Sequence, residues 1–114
     1  MRENVILEKS MDFAVRVVKL YKYLCSEKKE FVLSKQLLRS GTSVGANVHE
    51  GIEGQSKADF ISKMSIALKE ISETGYWIEL LYRTEYLTDE QYKSINADCK
   101  EIAKILTSIV KNSK

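Results

Sequence analysis

Proline is absent from this chain of 114 residues, and glycine occurs only five times. A sandwich or barrel needs frequent turn residues, so the shortage excludes an all-β fold. The two cysteines, Cys25 and Cys99, are far apart in sequence and build neither a disulfide framework nor a zinc cluster. Both fall within helical apolar patterns and read as buried free thiols of a reducing cytoplasm. No apolar run approaches the roughly 18 residues of a membrane span, and the start, Met1 to Asn4 before the short run Val5-Ile6-Leu7, lacks a signal-peptide core. Charge of one sign is also scarce. Eighteen Lys and Arg against sixteen Asp and Glu leave +2, so attraction to a polyanion requires a local patch.

What is present is helical periodicity. Phe13, Val17, Leu20, Tyr21 and Leu24 recur at steps of three and four, which predicts a helix over about 5–25. Ser34 is the expected N-cap of a second helix over about 34–53, with the apolar line Leu37, Val44, Val48 and Ile52. Ser56-Lys57-Ala58-Asp59 opens a third over about 57–86, built on Phe60, Met64, Ala67, Leu68, Ile71, Gly75, Ile78 and Leu81. Thr88-Asp89-Glu90-Gln91 is a capping box for a fourth over about 89–112, with the seam Tyr92, Ile95, Cys99, Ile102, Leu106 and Ile109. Lys111 and Lys114 suit the negative end of its dipole. Four amphipathic helices with short connections predict one all-α domain, an antiparallel up-and-down four-helix bundle spanning 1–114.

Some apolar surface exceeds what one seam needs: Val5, Ile6, Val15 and Val18 on the first helix, and Tyr76, Trp77, Leu80 and Tyr82 on the third. Either a subunit interface or wide core-facing stripes account for it.

Catalytic motifs are thin. Gly41-Thr42-Ser43-Val44-Gly45 matches the G-x-S-x-G of a nucleophile elbow, but no strand precedes it, and the single histidine, His49, lies on another helix face. The same residues read better as a Gly-x-x-x-Gly stripe permitting close helix approach, which also offsets the roughly 1 kcal/mol that an interior glycine costs. A di-iron site needs Glu-x-x-His on two helices, and no Glu stands three residues before His49. Glu50/Glu53 and Glu70/Glu73 read as solvated or paired carboxylates. No phosphate-cradling loop and no Cys/His nucleophile pair occur. The expectation is a protein without catalytic residues, metal or cofactor.

The basic residues form two stripes. On the first helix Lys9, Arg16 and Lys19 fall within about 80° of one another, with Tyr23 alongside and Asp12 interrupting, and Lys22 completes the candidate binding surface of that helix. On the fourth, Lys93, Lys100 and Lys104 fall within roughly 60°. Such stripes are commonly a solvated face, yet repeated around a symmetric oligomer they would sum to a phosphate-binding surface.

The stretch from Gln36 to Gly51, with Arg39, Ser43-Val44-Gly45-Ala46-Asn47 and Glu50-Gly51, resembles the signature of the 23S ribosomal RNA intervening-sequence proteins. Ser56 to Phe60 and Ala67 to Trp77, including Glu73, continue the likeness over nearly the whole chain. His49 departs from it, standing where the family commonly carries a small residue. The resemblance implies an up-and-down bundle assembled into a homopentameric ring, without enzymatic activity. It also implies association with RNA or DNA through a basic surface, or with a partner protein, as a related branch binds a reverse transcriptase. Within the motif, Arg39 is a candidate partner for Glu50 or Glu73, and Ser43 and Asn47 could bond across to helix three or a second subunit. Structural roles are the expectation for these residues.

Overall fold

The computed structural model describes residues 2–113, with side chains from Val5 onward. Lys114, and with it one of the two expected C-terminal dipole contacts, lies outside the described residues. Helices α1 (Arg2–Ser26), α2 (Leu33–Ile52), α3 (Lys57–Arg83) and α4 (Asp89–Ser113) fill the chain, and no strand occurs among the described residues. Each helix packs on its sequence neighbours and α4 returns to α1, in a body of 44 × 20 × 18 Å. Register runs antiparallel at every seam. Ser10 meets Gly45 while Val17 meets Gly41, and Lys9 meets Glu101 while Arg16 meets Asp98. Arg39 meets Glu73 while Glu50 meets Lys63.

The core takes most of the apolar positions that the periodicity marks: Phe13, Val17 and Leu24 of α1, Leu37, Val44 and Val48 of α2, Met64, Ala67, Ile71, Ile78 and Leu81 of α3, and Ile95, Cys99, Ile102, Leu106 and Ile109 of α4. Leu87 and Val110 join it unmarked, while Leu20, Ile52, Phe60, Leu68 and Tyr92 are only partly buried. Ile6, expected among the surplus apolar residues, is fully buried and belongs to this core. Burial drives the Cys99 thiol up to about 11, since a thiolate there would lose its water. Polar groups inside are partnered. Thr74 Oγ1 bonds Glu70 O at 2.8 Å and lies 2.9 Å from Ser40 Oγ, joining α2 to α3 through the interior. Among the described residues, no buried side-chain nitrogen or oxygen lacks a partner.

The helix boundaries divide into those with a sequence signal and those without. Ser56 caps α3 by accepting from Asp59 N at 3.1 Å. Thr88 and Gln91 form the reciprocal box that opens α4, at 2.8 and 3.1 Å. Ser34, by contrast, does not cap α2. It is buried in the first turn, its hydroxyl donating to Glu30 O at 2.8 Å. The cap is the Glu30 carboxylate, which accepts from the amides of Val32 (3.2 Å), Leu33 (3.0 Å) and Ser34 (2.7 Å). Burial alone would raise the Glu30 carboxyl, but these three amide bonds outweigh it and hold it below the ordinary carboxylate range. Helix α3 stops at Arg83, three residues short of the expected Tyr86, because Glu85 takes a left-handed conformation (φ 69°) and Tyr86 N bonds back to Leu81 O at 2.9 Å. A glycine would have advertised that stop; a glutamate does not.

Candidate functional site

The two expected basic stripes lie on adjacent helices, α1 and α4, but carboxylates stand between them. Lys9 Nζ pairs with Glu101 Oε1 at 3.3 Å. Arg16 is held at three points: Asp98 Oδ2 at 2.5 Å, Ser94 Oγ at 2.9 Å and Ser94 O at 3.3 Å. Both cations therefore spend their charge across the α1–α4 seam, where a helical wheel of α1 alone shows only a solvated stripe. Ser94, Asp98 and Glu101 were the missing partners. The signal that finds them is their register: the seven-residue step from Lys9 to Arg16 on α1 runs antiparallel to the step from Asp98 or Ser94 to Glu101 on α4.

The other stripe residues are differently placed. Lys19, Lys22, Lys93, Lys100 and Lys104 are exposed, and none joins an ion pair among the described residues. Lys93 and Lys100 lie on a face of α4 turned away from Asp98, while Lys104 stands one turn from Glu101. The structure thus leaves one outward lysine row on α4 and a second group near the C-terminal end of α1, rather than one continuous basic face.

The motif residues converge on the α2–α3 seam. Arg39 bonds Glu73 Oε2 and reaches both oxygens of Glu70 at 3.4 Å. Glu70 also accepts from Ser43 Oγ at 3.2 Å, and Asn47 Nδ2 donates back to Ser43 O at 2.9 Å and contacts its Oγ at 3.0 Å. Trp77 Nε1 donates to Glu73 Oε2 at 2.9 Å. That bond, together with Arg39, holds the Glu73 carboxyl below the ordinary range, and Glu73 first of all keeps the Arg39 guanidinium further charged. Of the two partners open to Arg39 in the sequence, Glu73 is the one used; Glu50 pairs instead with Lys63 at 2.9 Å. Ser43 does bond across to α3, whereas Asn47 turns back to its own helix. Gly51 lies against Lys63 Cβ and Met64 Cε, where an added Cβ would stand at 3.0 and 3.2 Å. Glu70, read in the sequence as a carboxylate either solvated or paired to lysine, is the hub of the network, and its cation is Arg39.

Between α1 and α2 runs a groove of about 770 Å³ lined by Leu7, Met11, Ala14, Gly45, Ala46 and His49, with Glu8 and Asp12 on its rim. Met11 is 63% exposed and Val15 45%, and on the far side of the bundle Tyr76 is 60% exposed. Trp77 and Tyr82 are half-buried: Trp77 is tied to Glu73, and Tyr82 stacks on Tyr92 at 4.1 Å between ring centres. Of the surplus apolar residues, Ile6 thus belongs to the core and Trp77 and Tyr82 are half-buried, while Val5, Val15 and Tyr76 remain exposed. The G-x-S-x-G residues lie inside α2, with Ser43 engaged by Glu70 and Asn47. Among the described residues, no three of His, Cys, Asp and Glu gather in a way that could hold a metal, and no helix is long and apolar enough to cross a membrane.

The sequence profile of the family described as 23S rRNA-intervening sequence protein matches residues 2–108. The chain is also similar to a crystal structure, at 1.70 Å resolution, of a protein of unknown function from the S23 ribosomal protein family of Bacteroides thetaiotaomicron. The two share 63% identity over 97% of this chain and 99% of that one, with a TM-score of 0.95. No curated protein matches the chain.

Proposed function

The chain belongs to the 23S rRNA-intervening sequence protein family, and from that premise we propose that it is a non-catalytic, ring-forming protein that associates with RNA in the cytoplasm. The observation that carries the reading is the set of exposed lysines, Lys19, Lys22, Lys93, Lys100 and Lys104, none of which joins an ion pair among the described residues. Phosphate neutralisation by such point charges is sequence-tolerant and weakens steeply with salt. A homopentameric ring would repeat them five times, raising the local potential that a monomer of net charge +2 lacks. Support for a ring comes from two unlike apolar surfaces on different sides of the bundle, the α1–α2 groove and the Tyr76 side of α3. Unlike surfaces pair head to tail, and head-to-tail contacts close into a ring when the rotation from one subunit to the next divides a full turn.

Light scattering on a sizing column, read at 260 and 280 nm, tests this. The expected species has about five times the 13.1 kDa chain mass and carries excess 260 nm absorbance at low salt. Reversing Lys19, Lys100 and Lys104 to glutamate should strip the nucleic acid and leave the ring; retained nucleic acid would sink the assignment of the contact to these stripe lysines. A second reading, a scaffold that docks a partner protein such as a reverse transcriptase, is favoured by the exposed Met11 and Val15. It predicts a clean ring whose complexes survive high salt.

A further inference from the structure

Residues 19–35 carry five lysines (19, 22, 28, 29 and 35) and two glutamates (27 and 30), a net of +3; the other residues of the chain therefore sum to −1, since the whole is +2. All five lysines are exposed, and none joins an ion pair among the described residues. One of the two glutamates is withdrawn: Glu30 is buried against the first amides of α2. The positive charge of this protein is thus concentrated where α1 turns into α2.

The same turn presents Phe31 and Val32, 52% and 70% exposed. They are outside by construction. Lys29 is left-handed (φ 55°), Glu30 N bonds Leu24 O at 3.0 Å, and the Glu30 carboxylate clamps the amides of residues 32 to 34. A fixed turn holds an aromatic ring in water among lysines. That combination suits a polyanion with flat apolar faces, because phosphates meet the lysines and a base covers the ring. A duplex hides those faces, and a folded acidic protein, whose aromatic rings mostly lie in its own core, presents carboxylates to the lysines more readily than a ring to Phe31.

We propose that the α1–α2 end of the bundle docks single-stranded nucleic acid, with a base stacked on Phe31 and the flanking phosphates held by Lys22, Lys28, Lys29 and Lys35. The proposal rests on the RNA reading above and moves its principal contact from the helix stripes to the bundle end. Recognition is of the strand and not of its sequence, since lysines are point charges and a phenyl ring accepts any base. Lys28 also borders a hollow that contains Arg83 with Glu85 and Asp89.

The test is fluorescence anisotropy with a labelled mixed-sequence RNA of about 12 nucleotides, single-stranded and annealed to its complement, in about 50 mM salt. Lys22→Glu/Lys35→Glu should weaken single-strand binding by about 30-fold or more, and Phe31→Ala by about tenfold. Phe31→Trp should retain binding, with its emission quenched by the RNA; the duplex should bind more weakly and ignore residue 31. All the altered residues are exposed, so thermal melting should be unchanged, which separates lost binding from lost folding. If the wild type binds while both sets of variants match it, the bundle end is not the site and the RNA reading survives. If only charge reversal matters, stacking is wrong and the proposal falls. Docking of an acidic protein or anionic vesicle through Phe31, with RNA affinity indifferent to residue 31, overturns it equally. A wild type that binds no RNA removes both readings.

Discussion

On its α2 side, α1 comes so close that a Cβ on Gly41 would stand 2.8 Å from both methyls of Val17, and one on Gly45 would stand 3.2 Å from Ser10 O. On its α4 side the same helix stands behind Lys9 and Arg16, whose charges are met by Glu101 and Asp98. The first seam is held by shape, closed at buried Gly41 and opening beside Gly45 into the groove; the second is a row of half-exposed polar clasps. Interactions of the first kind lose stability in whole methyl groups, whereas exposed ion pairs contribute a fraction of a kcal/mol each. Removing small residues from the first seam should therefore matter far more than removing charges from the second.

The largest effect should come from Gly41→Val, which forces three carbons into the space filled by Val17; overpacking of this kind costs about 3 kcal/mol, read as a lowered urea midpoint. A midpoint like that of the wild type would show that the seam can open. Next, Glu30→Ala removes the carboxylate that joins the two helices of the close seam and orphans three amides, at about 2 kcal/mol. Its pH signature has a definite sign. The carboxyl is depressed in the folded protein, so its contribution is complete above the ordinary glutamate value of about 4.3 and disappears as pH falls through the lower folded value. Wild type and variant should converge in stability at acid pH, and a gap that persists there would remove the charge from the account.

Gly75 provides a control in the opposite direction. An added Cβ there meets only Cys99 Sγ, at an ordinary 3.6 Å, so Gly75→Ala should stabilise by up to about 1 kcal/mol through helix propensity. On the polar seam, Arg16→Ala and Asp98→Ala should each be mild, and their double-mutant cycle should give a coupling of about 0.2–1 kcal/mol that shrinks in high salt. A coupling insensitive to salt would mean that the Ser94 bonds, and not the ion pair, hold Arg16 in place.

The contrast also explains what could be read beforehand. Gly41 and Gly45 announced a close seam because a glycine inside a helix has few other uses, and the apolar lines located the core for the same reason. Arg16 was visible as a cation but not as a neutralised one, since its fate depends on the register of a helix some eighty residues away in sequence. Ser34 resembled a cap because serines commonly are caps; Glu30 took that role from four residues earlier, where a carboxylate has no such reputation. Arg39 had two carboxylates within reach of reasoning, and only the facing of α2 on α3 chose Glu73. Local chemistry was legible in the sequence, and pairing between helices was legible only where one seam left a single choice.

Cys99 sits beneath the α3–α4 seam, its Sγ directed at Ile71 O at 3.5 Å, and its ionisation is suppressed by burial. The thiolate is the species that attacks alkylating reagents, so in the closed bundle this sulfur is nearly inert at neutral pH. Any modification at that position must pass through a state in which α4 has lifted away from α3. The rate at which Cys99 is alkylated is therefore a clock for the breathing of the bundle, built into its middle and requiring no added label.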